Sequence, residues 1–218
     1  MQLTYDIAAT YRDNFERGPQ VDPAPAVPAT EPVDFLGQKV NSRLGIAAGL
    51  LLNAKWIAGY AARGWDLLTY KTVRSSAREC YPPPNWAFVN ADEGIGAVYA
   101  MEDLPQDPST VSSAVCFGMP SMPPEFWRED IVRAKEAMKE RQMLIVSVVA
   151  SPESGWSSAQ VADDYAQCAA WAVEAGADVI EANYSCPNVC SAEGQVYCDA
   201  SLSEHVTQTI RSAIGEIS

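Results

Sequence analysis

Four short apolar segments, each followed by a stretch with helical periodicity, constrain the fold of this chain more than any other feature. The apolar segments cover residues 43–48, 66–71, 143–150 and 178–182. The stretches with helical periodicity cover residues 53–63, 125–141, 157–175 and 202–214. Alternation of strand and helix predicts parallel strands joined by right-handed crossovers. The predicted fold class is therefore α/β.

Two architectures fit this pattern, an open doubly wound sheet and a (β/α)8 barrel. The turn after the first strand, residues 47–52, lacks the G-x-G-x-x-G sequence that a dinucleotide-binding Rossmann fold places there. Its absence favours the barrel. A complete barrel has eight βα units and typically about 250 residues. We therefore predict a TIM-type (β/α)8 barrel of which about the first four βα units are present.

The N-terminal segment differs in composition from the rest of the chain. Residues 1–18 have apolar side chains at near-helical spacing, and five prolines between positions 19 and 32 indicate an extended arm. We therefore divide the chain into a helix and proline-rich arm over 1–32 and a half-barrel over 33–218. The stretch 72–124 is rich in Pro, Gly and Ser and is predicted to be irregular. Within it, residues 91–115 are a candidate lid over the active site.

The acidic composition excludes some classes of partner. The formal net charge is −13, whereas nucleic acids and anionic lipid surfaces attract basic proteins. No segment approaches the roughly 20 apolar residues of a membrane-spanning helix. The first 17 residues do not resemble a secretory leader. The sequence therefore predicts a cytoplasmic protein that binds neither nucleic acid nor membranes.

The six cysteines are expected to be free thiols in a reducing compartment. Cys186, Cys190 and Cys198 are close in sequence, which raises the possibility of a metal site. Their spacing matches no zinc pattern, and the single histidine, His205, lies on a predicted helix. We therefore expect no metal.

Small or polar residues follow all four predicted strands. They are Ala47-Ala48-Gly49, Lys71-Thr72, the segment Ser147–Ser151 and the loop Asn183–Asn188. In a barrel these strand ends meet at the face that carries the active site. Each also has a structural explanation: close packing for the small residues, a lysine that reaches the surface, and a cysteine that packs as a small apolar side chain. Their occurrence at all four strand ends favours a functional site.

The loop Asn183-Tyr184-Ser185-Cys186-Pro187-Asn188 resembles the active-site loop of the dihydroorotate dehydrogenase family. Ala47-Ala48-Gly49 resembles the turn after the first barrel strand of that family, and Lys71-Thr72 resembles the end of its second strand. Residues 78–85 resemble a proline-bearing stretch that follows. The resemblance extends from about Val33 to Ser218 and covers the N-terminal half of the family's barrel.

This resemblance implies a flavoprotein that binds FMN at the mouth of the barrel and oxidises dihydroorotate by hydride transfer to the flavin. The implied FMN contacts are Ala47, Ala48, Gly49, Lys71, Thr72 and Asn183. The implied substrate contacts are Lys71, Gly118, Met119, Asn183 and Asn188. Cys186 matches the general base of the soluble class 1 enzymes. Lys71 would supply a fixed positive charge beside the reduced flavin.

Some positions depart from the family pattern. The family's substrate loop, Asn-x-Met-Gly-x-Pro-Asn, is matched here by residues 115–121, in which both asparagines are replaced. Asn85 stands where the proline-bearing stretch of the family has arginine. A related dihydropyrimidine, as in the dihydropyrimidine dehydrogenase relatives, is therefore an alternative substrate.

The sequence leaves the partners and two other functions open. Fumarate, NAD through a partner subunit and quinone are all possible electron acceptors, and class 1 relatives suggest a homodimer. One alternative is a non-catalytic half-barrel subunit that needs a partner chain, because four parallel strands leave two unpaired edges. Another is a Schiff-base enzyme that uses Lys71.

Overall fold

Helices and strands alternate along most of the chain in the computed structural model, which describes residues 3–91, 96–101, 107–186 and 192–215. The N-terminal elements are α1 (Tyr11–Arg17), β1 (Val33–Phe35), β2 (Gln38–Val40), β3 (Gly45–Ile46), α2 (Ala54–Ala61) and β4 (Leu67–Val73). They are followed by β5 (Trp86–Asn90), β6 (Tyr99–Ala100), β7 (Ser112–Val115), α3 (Pro124–Glu136) and β8 (Met143–Val148). The last elements are α4 (Ser158–Glu174), β9 (Val179–Ala182) and α5 (Ala200–Ile214).

A parallel sheet with the strand order β3-β4-β8-β9 forms the centre of the fold. All seven residues of β4 are buried, as expected for an inner strand of a parallel sheet that is covered on both faces. The predicted α/β class is confirmed by this sheet. Each of the four predicted strands is present, although the first is only two residues long.

The helices that follow these strands begin at side-chain caps where the sequence supplies them. Asn53 caps α2 by accepting hydrogen bonds from the amides of Lys55 and Trp56. Ser157 and Gln160 form a capping box at the start of α4. The predicted helix 125–141 ends earlier than expected, at Glu136. No helix in the described ranges has both the length and the apolar character needed to cross a lipid bilayer.

The N-terminal helix is shorter than the predicted range 1–18. Thr10 and Asp13 form a capping box, so the helix begins at residue 11. The segment before it folds back onto α1, because the side chain of Asn14 both accepts from and donates to the main chain of Asp6. Tyr5 is consequently buried in a group of aromatic rings, packed against Trp56, Trp86 and Phe117.

Two small antiparallel sheets were not expected from the sequence. One is the hairpin of β1 and β2. The other has the strand order β6-β5-β7 and lies within the stretch 72–124, which was predicted to be irregular. That prediction was wrong because β7 is short, polar and mostly exposed, so its sequence has no apolar alternation that would mark a strand.

The parallel sheet has an open edge at β9, which pairs only with β8 among the described strands. A groove of about 910 Å³ runs along this edge and beside α5. It is lined by residues 176–180, by Ala182, and by Ile210 and Ile214 of α5. The groove is therefore the place where a further strand could extend the sheet.

Asp130 of α3 connects three elements beneath the sheet. Its Oδ2 accepts hydrogen bonds of 2.7 Å from the Ala54 amide at the start of α2 and from the Tyr70 hydroxyl on β4. Its Oδ1 lies 3.6 Å from Nη1 of Arg133. Burial and the neighbouring carboxylate raise the pKa of Tyr70 well above its usual value, so the tyrosine stays a hydrogen-bond donor. Asp130 thus joins α2, β4 and α3.

We expect Asp130→Ala to lower the free energy of unfolding by about 3 kcal/mol, because it leaves a buried hydroxyl and a helix N-terminal amide without their acceptor. Asp130→Asn keeps one acceptor oxygen and should cost less. The control is Glu129→Gln on the same helix, whose carboxylate pairs with Arg133 at the surface and should contribute little. Denaturant unfolding measures all three. Equal effects of Asp130→Ala and Glu129→Gln would contradict the connecting role.

Candidate functional site

A chain of hydrogen bonds links three side chains at the carboxyl ends of neighbouring strands. The hydroxyls of Thr72, in β4, and Ser147, in β8, are 3.0 Å apart. Nδ2 of Asn183, which follows β9, donates to the Thr72 hydroxyl over 3.2 Å. Thr72 and Ser147 are buried. The predicted convergence of these strand ends is therefore present in the fold.

Lys71 lies beside this chain and is only 7% exposed. No hydrogen-bond or ion-pair partner within the described ranges reaches its ammonium group. Burial lowers the pKa of Lys71 from 10.5 to about 8, whereas the nearby thiols of Cys186 and Cys80 act in the opposite direction. A buried cation without a paired anion is costly. The arrangement therefore suits a negatively charged ligand group beside Lys71.

Cys186 is half-buried and close enough to Lys71 to influence its pKa. The chain reaches it through a turn in which the Ser185 amide donates to Oδ1 of Asn183 over 3.1 Å. The main-chain carbonyl of Asn183 is fixed from the other side by the Tyr165 hydroxyl, at 2.7 Å. Cys186, Asn183 and Lys71 therefore share one site, whereas the predicted contact Asn188 lies outside the described residues.

The turn after β3 leaves open space in front of its backbone. Gly49 has a φ of 145°, and a Cβ placed there would meet no atom within 4 Å. Ala47 is exposed, and Ala48 is half-buried. The loop is tied to the site by the Lys71 amide, which donates to the carbonyl of Leu51 over 2.9 Å. A flat ligand could therefore approach this backbone closely.

The predicted substrate turn also reaches the site. Gly118 has a φ of 76°, and a Cβ at this position would lie 2.7 Å from the ring of Tyr81. Met119, which is buried, also has a positive φ of 51°. Its Sδ lies 3.8 Å from Nδ2 of Asn183. The turn thus brings Met119 into contact with the side chain predicted to bind both cofactor and substrate.

Asn85 and Ser121 are used to hold the loops together. The side-chain amide of Asn85 donates to the carbonyls of Tyr81, at 2.9 Å, and Cys116, at 3.1 Å. The Ser121 hydroxyl accepts from the Arg74 amide and donates to the Met122 carbonyl. Both positions therefore have structural roles in this chain.

From the sequence, Ser147 was singled out only as part of a strand end, and Arg74 was not singled out. Ser147 is fully buried and bonds to Thr72. Arg74 is 2% exposed and follows β4 directly. A polar residue within or next to an apolar strand was the only signal available for either one. Within the described ranges, no group of three or more metal-ligating side chains occurs.

The sequence is similar to that of a known enzyme. No protein-family model matches the chain. A curated protein from Dictyostelium discoideum, named dihydroorotate dehydrogenase, is 34% identical over 222 residues. The alignment covers 94% of this chain and 59% of that protein, so the chain spans less than two thirds of the relative's length. The resemblance predicted from the motifs is confirmed by this similarity.

The fold is similar to that of solved structures. A crystal structure of DHODH from Eimeria tenella in complex with ferulenol matches with a TM-score of 0.66 and 13% identity, covering 89% of this chain and 47% of that one. The ligand-free structure from the same organism gives a TM-score of 0.60 and 10% identity, covering 88% and 49%. At such identities the likeness concerns the fold alone. The α/β fold of this chain therefore resembles that of DHODH.

We expect Lys71→Met to stabilise the protein at neutral pH by about 3 kcal/mol, since a pKa lowered from 10.5 to about 8 corresponds to that cost of keeping the ammonium buried. Because the folded pKa is the lower one, the unfolded chain binds more protons between these two values. The stability of the wild type therefore rises with pH across that window, and its difference from the variant shrinks.

Denaturant unfolding at neutral pH and near pH 10 measures this difference. The control is Lys39→Met, which removes an exposed lysine paired with Asp34 and should change stability little at either pH. A Lys71→Met protein less stable than the wild type at neutral pH would show that the ammonium is compensated within the protein.

Proposed function

We propose that this chain forms the N-terminal half of a (β/α)8 barrel enzyme of the dihydroorotate dehydrogenase family, with the barrel portion over residues 33–218. The similarity over 94% of the chain supports the family. The parallel sheet, with polar side chains at its carboxyl ends, supports the barrel. The open edge at β9 is where the remaining units would continue the sheet.

The observation that carries the proposal is the buried ammonium of Lys71, which has no paired anion among the described residues and lies next to Cys186 and the Thr72–Asn183 hydrogen bond. These groups can stabilise negative charge, accept a proton and orient a planar polar ring. Together they fit oxidation of a dihydropyrimidine, which removes a proton from one ring carbon and a hydride from its neighbour.

FMN is the proposed cofactor, and the residues present fit its ring. The open space before Gly49 and the exposed Ala47 would accommodate a flat ring against the backbone. Lys71, Thr72 and Asn183 would lie along its polar edge. When bound, FMN would supply the acceptor for the substrate's hydride. The ammonium of Lys71 would offset the negative charge that then develops nearby.

Cys186 is the proposed general base. Its Sγ would accept the proton released from the substrate ring, which requires the thiolate form. The ammonium of Lys71 lies close enough to this sulfur to interact with it electrostatically. Asn183, fixed through its main-chain carbonyl by Tyr165, would orient the substrate relative to this sulfur.

The proposed substrate is dihydroorotate or a related dihydropyrimidine. Lys71, Gly118, Met119, Asn183 and Asn188 would contact it. The related compound remains an alternative because no asparagine stands at positions 115 and 121. An electron acceptor, a homodimer or a partner subunit would complete the reaction cycle. The free cysteines of the described residues suit a cytoplasmic location.

A non-catalytic half-barrel subunit is not favoured. Such a subunit would not need a buried lysine beside a half-buried cysteine. The sequence similarity to a protein named dihydroorotate dehydrogenase also extends over nearly the whole chain.

We expect Cys186→Ala to retain flavin and lose turnover by about 10² to 10⁴-fold, the usual contribution of a positioned general base. Cys186→Ser should recover part of the rate at alkaline pH, because a hydroxyl can replace the thiol but is a weaker acid. Absorbance and fluorescence of the bound flavin measure loading, and dihydroorotate-dependent reduction of the flavin under anaerobic conditions measures the chemical step.

The matched control is Cys198→Ala, which removes an exposed thiol from the segment before α5 and should leave both readings unchanged. Undiminished flavin reduction in Cys186→Ala would overturn the assignment of the base. Absence of flavin from the wild-type protein with the second half of the barrel present would overturn the proposed function itself.

A further inference from the structure

Arg74 joins the ends of two strands to the turn that carries Gly118 and Met119. It is 2% exposed and directly follows β4. Its Nε donates to the Met119 carbonyl over 3.1 Å, and its Nη1 donates to the Ala150 carbonyl, just beyond β8, over 2.8 Å. We infer that Arg74 is a positioning residue that holds the Gly118–Met119 turn against the candidate site.

The main chain of Arg74 is fixed as well. Its amide donates to the Ser121 hydroxyl over 3.1 Å. Its carbonyl accepts from Nε1 of Trp127, a buried residue of α3, over 3.0 Å. The guanidinium therefore extends from a fixed main chain. Its planar set of N–H donors can hold two carbonyls in a defined relative position.

The turn needs external support because of its backbone conformation. Gly118 and Met119 are successive residues with positive φ, 76° and 51°. This region is unfavourable for a residue with a Cβ such as Met119. Gly118 is also packed directly against the ring of Tyr81. A hydrogen bond from a cation to the Met119 carbonyl opposes relaxation of the turn.

A movement of the turn would affect the site through Met119, whose Sδ contacts Nδ2 of Asn183 at 3.8 Å. If the turn moved away, Asn183 would lose this neighbour. This part of the inference rests on the proposed function, in which Gly118, Met119 and Asn183 contact the substrate. Arg74 would then affect substrate binding through the turn without touching the substrate.

Hydrogen–deuterium exchange tests the positioning role without any need for activity. The Tyr81 amide donates to the Phe117 carbonyl, and the Ser121 amide donates to the Arg78 carbonyl, so both amides report whether the turn stays docked. In Arg74→Met we expect both to exchange about tenfold faster or more, since charge-assisted hydrogen bonds are lost. The Lys71 amide, bonded to Leu51, should keep its rate and reports global stability.

Arg74→Lys is the conservative variant. Lysine keeps the positive charge but lacks the planar set of N–H donors. The exchange rates of the Tyr81 and Ser121 amides should therefore fall between those of the wild type and Arg74→Met. It also provides the test if Arg74→Met does not fold. The control is Arg128→Met on α3, which removes an arginine paired with Glu174 and should leave the amides of Tyr81 and Ser121 unchanged.

The exchange result decides the inference. Faster exchange confined to Tyr81 and Ser121 supports it. Unchanged exchange at these amides, or equal acceleration at Lys71, would overturn it, because Arg74 would then either not hold the turn or merely stabilise the whole fold.

Kinetics of the flavin-loaded protein address the substrate. In Arg74→Lys we expect KM for dihydroorotate to rise about tenfold with kcat and flavin affinity nearly unchanged, the pattern of a lost binding contribution. An unchanged KM despite faster exchange would overturn the effect on substrate binding. A wild-type protein that does not oxidise dihydroorotate would refute the proposed function, while the exchange data would still decide whether Arg74 holds the turn.

Discussion

Parallel pairing of β4 with β8 and of β8 with β9 is the constraint on which the candidate site depends. Parallel strands end at the same edge of a sheet, so residues far apart in the sequence meet there. Thr72 and Asn183 are separated by more than a hundred residues, yet their side chains are 3.2 Å apart. Ser147 belongs to β8, the strand between β4 and β9, and bonds to Thr72. The register of the sheet therefore determines the position of these side chains more than the conformation of any loop does.

The same geometry explains why Lys71 is held at a cost to stability. It occupies a fully buried strand, and burial lowers its pKa. A core position of this kind is normally apolar. Where a fold retains such a cation, the expected benefit is interaction with a ligand, because functional groups are often placed in environments that do not favour the empty protein. The burial of the Lys71 ammonium thus lowers stability and also provides the positive charge that the proposed function uses.

The sequence predicted the central elements because their signals are local. Apolar runs mark β4, β8 and β9, and the caps Asn53 and Ser157 mark the helices. The meeting of Thr72 and Asn183 at the strand ends could be predicted for the same reason, since parallel strands end at the same edge of the sheet. The structure adds the contacts between Asn183, Thr72 and Met119, which no local pattern could specify.

The parts that could not be predicted depend on long-range contacts. The sheet β6-β5-β7 contains short strands with little apolar alternation, so its pairing is decided by tertiary packing. The length of α1 is set by the capping box at Thr10 rather than by the spacing of its apolar residues. Arg74 appeared in the sequence as an ordinary charged residue after a strand. Its role becomes visible only when the Met119 and Ala150 carbonyls are seen at its guanidinium.

The strand ends and the Gly118–Met119 turn of this chain differ in how far they follow the family pattern. The Lys71-Thr72 and Asn183–Cys186 segments follow it, whereas the turn lacks the two asparagines and is fastened by residues that use their polar groups internally. The Ser121 hydroxyl is hydrogen-bonded to the Arg74 amide and the Met122 carbonyl. The side-chain amide of Asn85 is hydrogen-bonded to main-chain carbonyls. A turn held from within offers fewer free hydrogen-bonding groups to a ligand. Under the proposed function, the chemistry of hydride and proton removal would be retained while the preference among dihydropyrimidine rings changed, because the two would depend on different segments of the chain.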